Sequence, residues 1–114
     1  MARTTALLAA HLGYEPVQYF LPTDAFLHLH VESFDLLLSD YEMPLLTGLE
    51  FVALLREEAC PIPVVLMSGN AASIDRLRAQ QLGIAAILEK PFTLAQLDQA
   101  LRQAMAGNAT KSAA

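Results

Sequence analysis

Three short apolar runs of this chain each lead into a polar residue, and this arrangement restricts the possible fold more than any other feature. The run at residues 34–38 leads to Asp40, the run at 63–67 leads to Ser68, and the run at 85–89 leads to Lys90. Runs of this length, bounded by turn residues, are typical of buried strands in a parallel sheet. Because the carboxyl ends of parallel strands share one edge, we expect a carboxylate, a hydroxyl and an amine to converge there.

Helical patterns alternate with these runs. Helices are predicted from Thr4 or Thr5 to Gly13, at residues 23–31, from Gly48 to the break at 60–63, at 72–82 with Ile74, Leu77 and Leu82 inward, and from Thr93 onward; a further strand is predicted at 16–21. The last helix begins with a capping-box pattern, Thr93 to Gln96. The alternation predicts an α/β domain with parallel strands, right-handed crossovers and helices on both faces.

Composition indicates one domain and excludes several functions. A chain of 114 residues with 54% hydrophobic content predicts a single domain over 1–114, with a disordered tail at 107–114. A net charge of −5 without a basic cluster argues against direct binding of nucleic acid or anionic membrane. Cys60 is the only cysteine and is predicted to be a buried, inert thiol. No membrane span or signal peptide is visible, so a cytoplasmic location is expected.

Three segments in this order and spacing carry a family resemblance. They are residues 39–44 (Ser-Asp-Tyr-Glu-Met-Pro) followed by Gly48, residues 64–69 (Val-Val-Leu-Met-Ser-Gly), and residues 89–92 (Glu-Lys-Pro-Phe). Together they resemble the receiver domain of bacterial two-component response regulators. The resemblance implies a flavodoxin-like three-layer sandwich. It also implies transfer of a phosphoryl group to one aspartate from a histidine kinase or phosphotransfer protein.

The resemblance also implies a role for each polar strand end. Asp40 matches the phosphoacceptor, Ser68 the switch hydroxyl and Lys90 the phosphate-binding lysine. A carboxylate can attack the phosphorus of a phosphohistidine, and catalysis then rests mainly on positioning and charge neutralisation. Each residue also has a plain alternative: Asp40 would cap a turn, Ser68 would satisfy backbone groups and Lys90 would be a solvated surface lysine.

Further residues line or shape the implied pocket. Glu42 and Asn70 occupy positions that tune the pocket in receivers, although an exposed turn residue is an equal alternative for both. Pro44, Gly48 and Pro91 are expected to be structural, with a cis peptide bond before Pro91.

The chain departs from the receiver pattern at its start and at Ile87. Receivers open with a strand and an acidic pair that holds Mg²⁺ with the phosphoacceptor, whereas this chain begins within the first helix. Asp40, with Glu42 as a second donor, is therefore expected to bind Mg²⁺ weakly and to be phosphorylated slowly. Ile87 replaces the aromatic switch residue that receivers often carry.

The absent strand has consequences for assembly. Four strands are expected from this chain, with the first strand of the family missing. Either the flanking strands close up or a second copy fills the gap, so a homodimer is predicted. A start upstream of Met1 is the third explanation.

Two other functions compete with an active receiver. The first is a phosphorylation-independent pseudo-receiver that binds partners through residues 72–105. The second is a phosphatase of the haloacid dehalogenase type, for which Asp40, Glu42, Ser68 and Lys90 supply a superficial skeleton. The missing Gly-Thr after the acid and the absence of a late acidic metal motif argue against the phosphatase.

Overall fold

A parallel sheet of three strands organises the part of the chain that the computed structural model describes, residues 2–15, 34–43 and 46–113. The strands are β1 (Leu37–Asp40), β2 (Val64–Ser68) and β3 (Ile84–Glu89), in the order β1-β2-β3. In their register Asp40 lies opposite Met67, and Ser68 lies opposite Glu89. The carboxyl ends of all three strands therefore lie at one edge, which confirms the arrangement predicted from the apolar runs.

Four α-helices accompany the sheet among the described residues. They are α1 (Ala2–His11), α2 (Gly48–Glu57), α3 (Arg76–Gln81) and α4 (Leu94–Ala113), with a turn of 3₁₀ helix at Ala71–Ser73. None of the helices in this described part is long and apolar enough to cross a lipid bilayer. The predicted strand at 16–21, the predicted helix at 23–31 and Pro44 lie outside the described residues. The predicted homodimer stays a prediction.

The central strand β2 is buried along its whole length and separates two apolar cores. Val64 and Leu66 pack with α2 and α3 on one face, whereas Val65 and Met67 pack with α4 and the end of α1 on the other. Successive side chains of a strand point to opposite faces, so a continuous apolar run can serve both cores. The result is the predicted three-layer α/β sandwich.

The helix predicted at residues 72–82 is wrong as a single element. The 3₁₀ turn ends at Ser73, Ile74 is extended, and α3 begins only after Asp75. The Asp75 side chain accepts a hydrogen bond from the backbone N–H of Arg78 at 3.0 Å, which is the geometry of an N-cap. Because the helix restarts there, Ile74 and Leu82 face the core as predicted, but Leu77 is 67% exposed.

The predicted start and end residues of the other helices are confirmed in some cases and wrong in others. Gly13 and Gly83 have φ values of +98° and +73° and follow α1 and α3, as predicted. The capping box from Thr93 to Gln96 is confirmed by reciprocal hydrogen bonds of 2.8 and 3.1 Å. In contrast, α1 begins at Ala2, before the predicted caps. The last helix extends through Ala113, and the disorder expected at residues 107–114 stays a prediction.

Arg56 links the end of α2 to two neighbouring segments. Its guanidinium donates hydrogen bonds to the carbonyl oxygens of Cys60, Ile62 and Leu82 at 2.8 to 2.9 Å. Burial lowers the pKa of Arg56 from its usual value, and a nearby Cys60 partly opposes this effect. Cys60 itself is only half-buried, so the prediction of a buried thiol was too strong.

We expect Arg56→Ala to lower the free energy of unfolding by about 2 kcal/mol, because hydrogen bonds to a charged donor are lost and carbonyl groups are left unpaired. Urea denaturation followed by circular dichroism measures this change. The exposed Arg76→Ala variant is the control and should unfold within about 0.5 kcal/mol of the parent. Equal stability of the Arg56 and Arg76 variants would contradict the role of the guanidinium.

Candidate functional site

An acid and an amine meet at the carboxyl edge of the sheet. Asp40 is the last residue of β1, and Lys90 directly follows β3. The Lys90 Nζ atom lies 2.5 Å from Asp40 Oδ1, with exposed side-chain fractions of 19% for Lys90 and 30% for Asp40. The backbone N–H of Lys90 donates to the carbonyl oxygen of Ser68 at 2.8 Å, which connects the third strand end to the pair. The fold therefore gathers all three strand ends, and Asp40 and Lys90 are in direct contact.

The carboxylate of Asp40 has an unusual inner oxygen. Asp40 Oδ1 is buried, and no described residue donates an aligned hydrogen bond to it. Its described neighbour, the Lys90 ammonium, forms an ion pair without hydrogen-bond alignment. Asp40 Oδ1 is therefore paired with the Lys90 ammonium, while the Asp40 side chain as a whole stays 30% exposed at the carboxyl edge.

The Ser68 hydroxyl is bound elsewhere. Ser68 is fully buried, and its Oγ donates to Glu42 Oε2 at 2.7 Å. The same oxygen accepts the backbone N–H of Asn70 at 2.9 Å. Glu42 and Asn70 thus both contact Ser68, Glu42 through its carboxylate and Asn70 through its main chain. Both are themselves exposed residues.

The segment between β1 and α2 is closed by backbone contacts. The N–H of Tyr41 donates to Met67 O at 2.7 Å, and the N–H of Gly48 donates to Tyr41 O at 2.7 Å. Glu42 and Thr47 form an isolated antiparallel bridge. These contacts hold the main chain on both sides of Glu42, so its carboxylate extends from a supported position.

Comparison with known proteins assigns the family. The family model for the response regulator receiver domain matches residues 1–102. This chain belongs to the response regulator receiver domain family. Such domains are signalling modules of two-component systems rather than classical enzymes, and they interact with histidine kinases or phosphotransfer proteins.

Two curated relatives of this chain are bacterial transcriptional regulatory proteins. The transcriptional regulatory protein TctD of Salmonella typhimurium is 39% identical over 74 residues, which cover 65% of this chain and 33% of TctD. The transcriptional regulatory protein CrdR of Helicobacter pylori is 31% identical over 94 residues, which cover 82% of this chain and 44% of CrdR. The chain thus spans between about a third and under a half of the length of these relatives.

Solved receiver domains share the fold. A CheY-like receiver domain from Methanospirillum hungatei superposes with a TM-score of 0.85 at 17% identity, covering 96% of this chain and 88% of that one. A CheY-like receiver domain from Methylobacillus flagellatus gives a TM-score of 0.78 at 28% identity, with coverage of 90% and 87%. These structures confirm the predicted flavodoxin-like fold.

The receiver family typically uses Mg²⁺ for phosphorylation. In the described part of this receiver, no group of three or more Asp, Glu, His or Cys side chains could hold a metal ion. Asp40 is the residue that would hold a cation, although its Oδ1 already contacts the Lys90 ammonium. The Glu42 carboxylate would join only by sharing or releasing the Ser68 hydroxyl. With so few donors, Mg²⁺ here would take most of its oxygen shell from phosphate and water.

Three further residues shape the receiver pocket. Gly48 lies so close to its surroundings that a Cβ atom there would be 2.8 Å from Leu66 Cδ2 and 2.9 Å from Asp40 O. The Lys90–Pro91 peptide bond is cis, as predicted. Ile87 is half-buried and packs against the core on the α2 side.

Sequence reasoning missed two residues beside the pocket. Thr47 caps α2 in a reciprocal capping box with Glu50, at 2.7 and 3.2 Å. The Thr-x-x-Glu pattern could have revealed it, since the same pattern was recognised at Thr93. Ser39 is buried, and its hydroxyl donates to Asp40 O at 3.0 Å. Nothing in the sequence distinguishes that contact.

Proposed function

We propose that Asp40 is the phosphoacceptor of this receiver domain and takes a phosphoryl group from a histidine kinase or phosphotransfer protein. The observation that carries the proposal is the contact between the Asp40 carboxylate, whose side chain is 30% exposed, and Lys90 Nζ at 2.5 Å. The exposed part of the carboxylate can approach a phosphorus, and the adjacent ammonium is placed to neutralise phosphoryl oxygens.

The proposed chemistry needs no other nucleophile. A carboxylate oxygen of Asp40 attacks the phosphorus of a phosphohistidine, so that a P–O bond forms as the P–N bond breaks and the histidine leaves. Lys90 neutralises charge on the transferred oxygens in the transition state. The Ser68 hydroxyl would then donate a hydrogen bond to the phosphoryl group, which moves the loop after β2.

The proposal includes weak dependence on Mg²⁺ in this chain. Asp40 and, after release of Ser68, Glu42 would hold the ion, which supplies further neutralisation of phosphate charge when bound. With these donors we propose that Mg²⁺ affinity is low and that phosphorylation is slow.

Intact-mass spectrometry after incubation with acetyl phosphate over a range of Mg²⁺ concentrations tests the proposal. We expect the mass of one phosphoryl group to appear slowly, with a rate that still rises at millimolar Mg²⁺. Saturation at micromolar Mg²⁺ would contradict weak metal binding, whereas the absence of any phosphorylated species would contradict the phosphoacceptor function itself.

Two observations favour a second candidate, the phosphorylation-independent pseudo-receiver. The Ser68 hydroxyl is already bonded to Glu42, and Ile87 replaces the aromatic residue through which many receivers respond. In that case the surface at residues 72–105 would bind a partner equally well with and without phosphodonor. Pull-down of this chain with its partner in both conditions separates the two functions.

A further inference from the structure

The Ser68 hydroxyl already donates its only proton in a hydrogen bond to Glu42. Ser68 has an exposed fraction of 0%, its Oγ donates to Glu42 Oε2 at 2.7 Å, and it accepts the Asn70 N–H at 2.9 Å. A serine hydroxyl has only one proton to donate. Ser68 therefore cannot donate a hydrogen bond to another oxygen while it is bonded to Glu42.

Glu42 is well placed to hold that proton and also to release it. Its main chain is fixed by the bridge to Thr47 and by the neighbouring bond from Gly48 N–H to Tyr41 O. The Glu42 residue is exposed, so water can solvate its carboxylate once the hydrogen bond breaks. Release therefore costs the hydrogen bond without leaving a buried, unpaired charge.

We propose that Glu42 is a latch on Ser68. It is a positioning residue that keeps the Ser68 hydroxyl away from the pocket until a phosphoryl group on Asp40 displaces Glu42. The inference rests on the proposed phosphoacceptor role of Asp40. A phosphoryl group brings a charge of about −1.5 to −2 and strong acceptor oxygens. It competes with Glu42 for the single proton and also repels the Glu42 carboxylate, which lies two residues from Asp40. Opening of the latch couples phosphorylation to movement of the segment after β2.

The first arm of the test measures the hydrogen bond without any phosphodonor. A double-mutant cycle combines Glu42→Ala and Ser68→Ala, and urea unfolding gives the equilibrium constant of each variant. We expect a coupling of about tenfold or more in the unfolding constant, as for a hydrogen bond to a charged group. Glu57→Ala, at the far end of α2, replaces Glu42→Ala in a control cycle and should show no coupling to Ser68→Ala.

The second arm measures the response of the pocket. Beryllofluoride with Mg²⁺ mimics the phosphoryl group, and its binding is followed by tyrosine fluorescence because the chain has three tyrosines and no tryptophan. Measured at Mg²⁺ concentrations that saturate each variant, so that loss of Glu42 as a metal ligand does not enter, Glu42→Ala should tighten beryllofluoride binding by about tenfold, since the hydroxyl no longer has to leave a charged partner. Glu42→Gln keeps a neutral acceptor oxygen and should tighten binding by less. In the Ser68→Ala background, the gain from Glu42→Ala should shrink to the small part that charge repulsion contributes.

The outcomes separate the Glu42 latch from the phosphoacceptor function of Asp40 on which it rests. Additive unfolding effects would overturn the latch whatever happens with beryllofluoride. An equal gain from Glu42→Ala with and without Ser68 would also overturn it, because repulsion alone would then explain the effect. If no variant binds beryllofluoride or accepts phosphate, the phosphoacceptor function and its regulation by Glu42 are both wrong, while a measured coupling would still assign the hydrogen bond a structural role.

Discussion

Asp40→Asn is expected to reduce phosphorylation of this receiver domain to background. The substitution replaces the nucleophilic carboxylate with an amide of nearly the same size, so the attack on phosphorus is lost while the pocket stays filled. Intact mass after incubation with acetyl phosphate or with a phosphorylated phosphotransfer protein measures the result. The stability of the variant should change by less than about 1 kcal/mol, because the Asp40–Lys90 pair is partly exposed.

Asp98→Asn provides the matched control for that experiment. Asp98 lies on α4, where its carboxylate pairs with Arg102 one helical turn away at 3.0 Å. The chemical change is identical, but the residue belongs to a helix surface rather than to the carboxyl edge of the sheet. Its phosphorylation rate should equal that of the parent chain. A phosphorylated Asp40→Asn variant would mean that another side chain, with Glu42 the first to examine, accepts the phosphoryl group.

Gly48→Ala is expected to lower the free energy of unfolding by about 1–3 kcal/mol, the usual cost of adding an atom to a filled space. The new Cβ would lie 2.8 Å from Leu66 Cδ2 and 2.9 Å from the carbonyl oxygen of Asp40. Leu66 is fully buried and cannot swing aside, and the other neighbour is backbone. Chemical denaturation measures the loss of stability. Because the clash displaces the main chain of Asp40, slower phosphorylation should accompany it.

Gly69→Ala tests whether space, rather than glycine itself, sets that cost. A Cβ at Gly69 would meet no atom within 4 Å, although the residue directly follows Ser68. We expect its stability to stay within about 0.5 kcal/mol of the parent. Similar losses at Gly48 and Gly69 would show that the close approach of Gly48 to β1 and β2 is not the cause.

Local sequence patterns were sufficient for much of the fold. The apolar runs before Asp40, Ser68 and Lys90 predicted three strands, and their parallel direction followed from the helical patterns between them. The capping box at Thr93 was equally readable, because it depends on two side chains and the main chain of a single turn. Leu77 shows where this reasoning failed, since its apolar character suggested burial but the Asp75 cap restarted the helix with that side chain outward.

The sequence by itself determined that an acid, a hydroxyl and an amine end three parallel strands, since strand order along the chain and the common direction of the strands suffice to bring them to one edge. Only the tertiary structure decided the state of each group: the Asp40 carboxylate is paired with Lys90, and the Ser68 hydroxyl donates its proton to Glu42. Those contacts join residues 26 and 50 positions apart, and their geometry depends on side-chain rotamers and packing between segments. No local pattern encodes such geometry, because hydrogen bonds and ion pairs are decided by distances of a few tenths of an ångström.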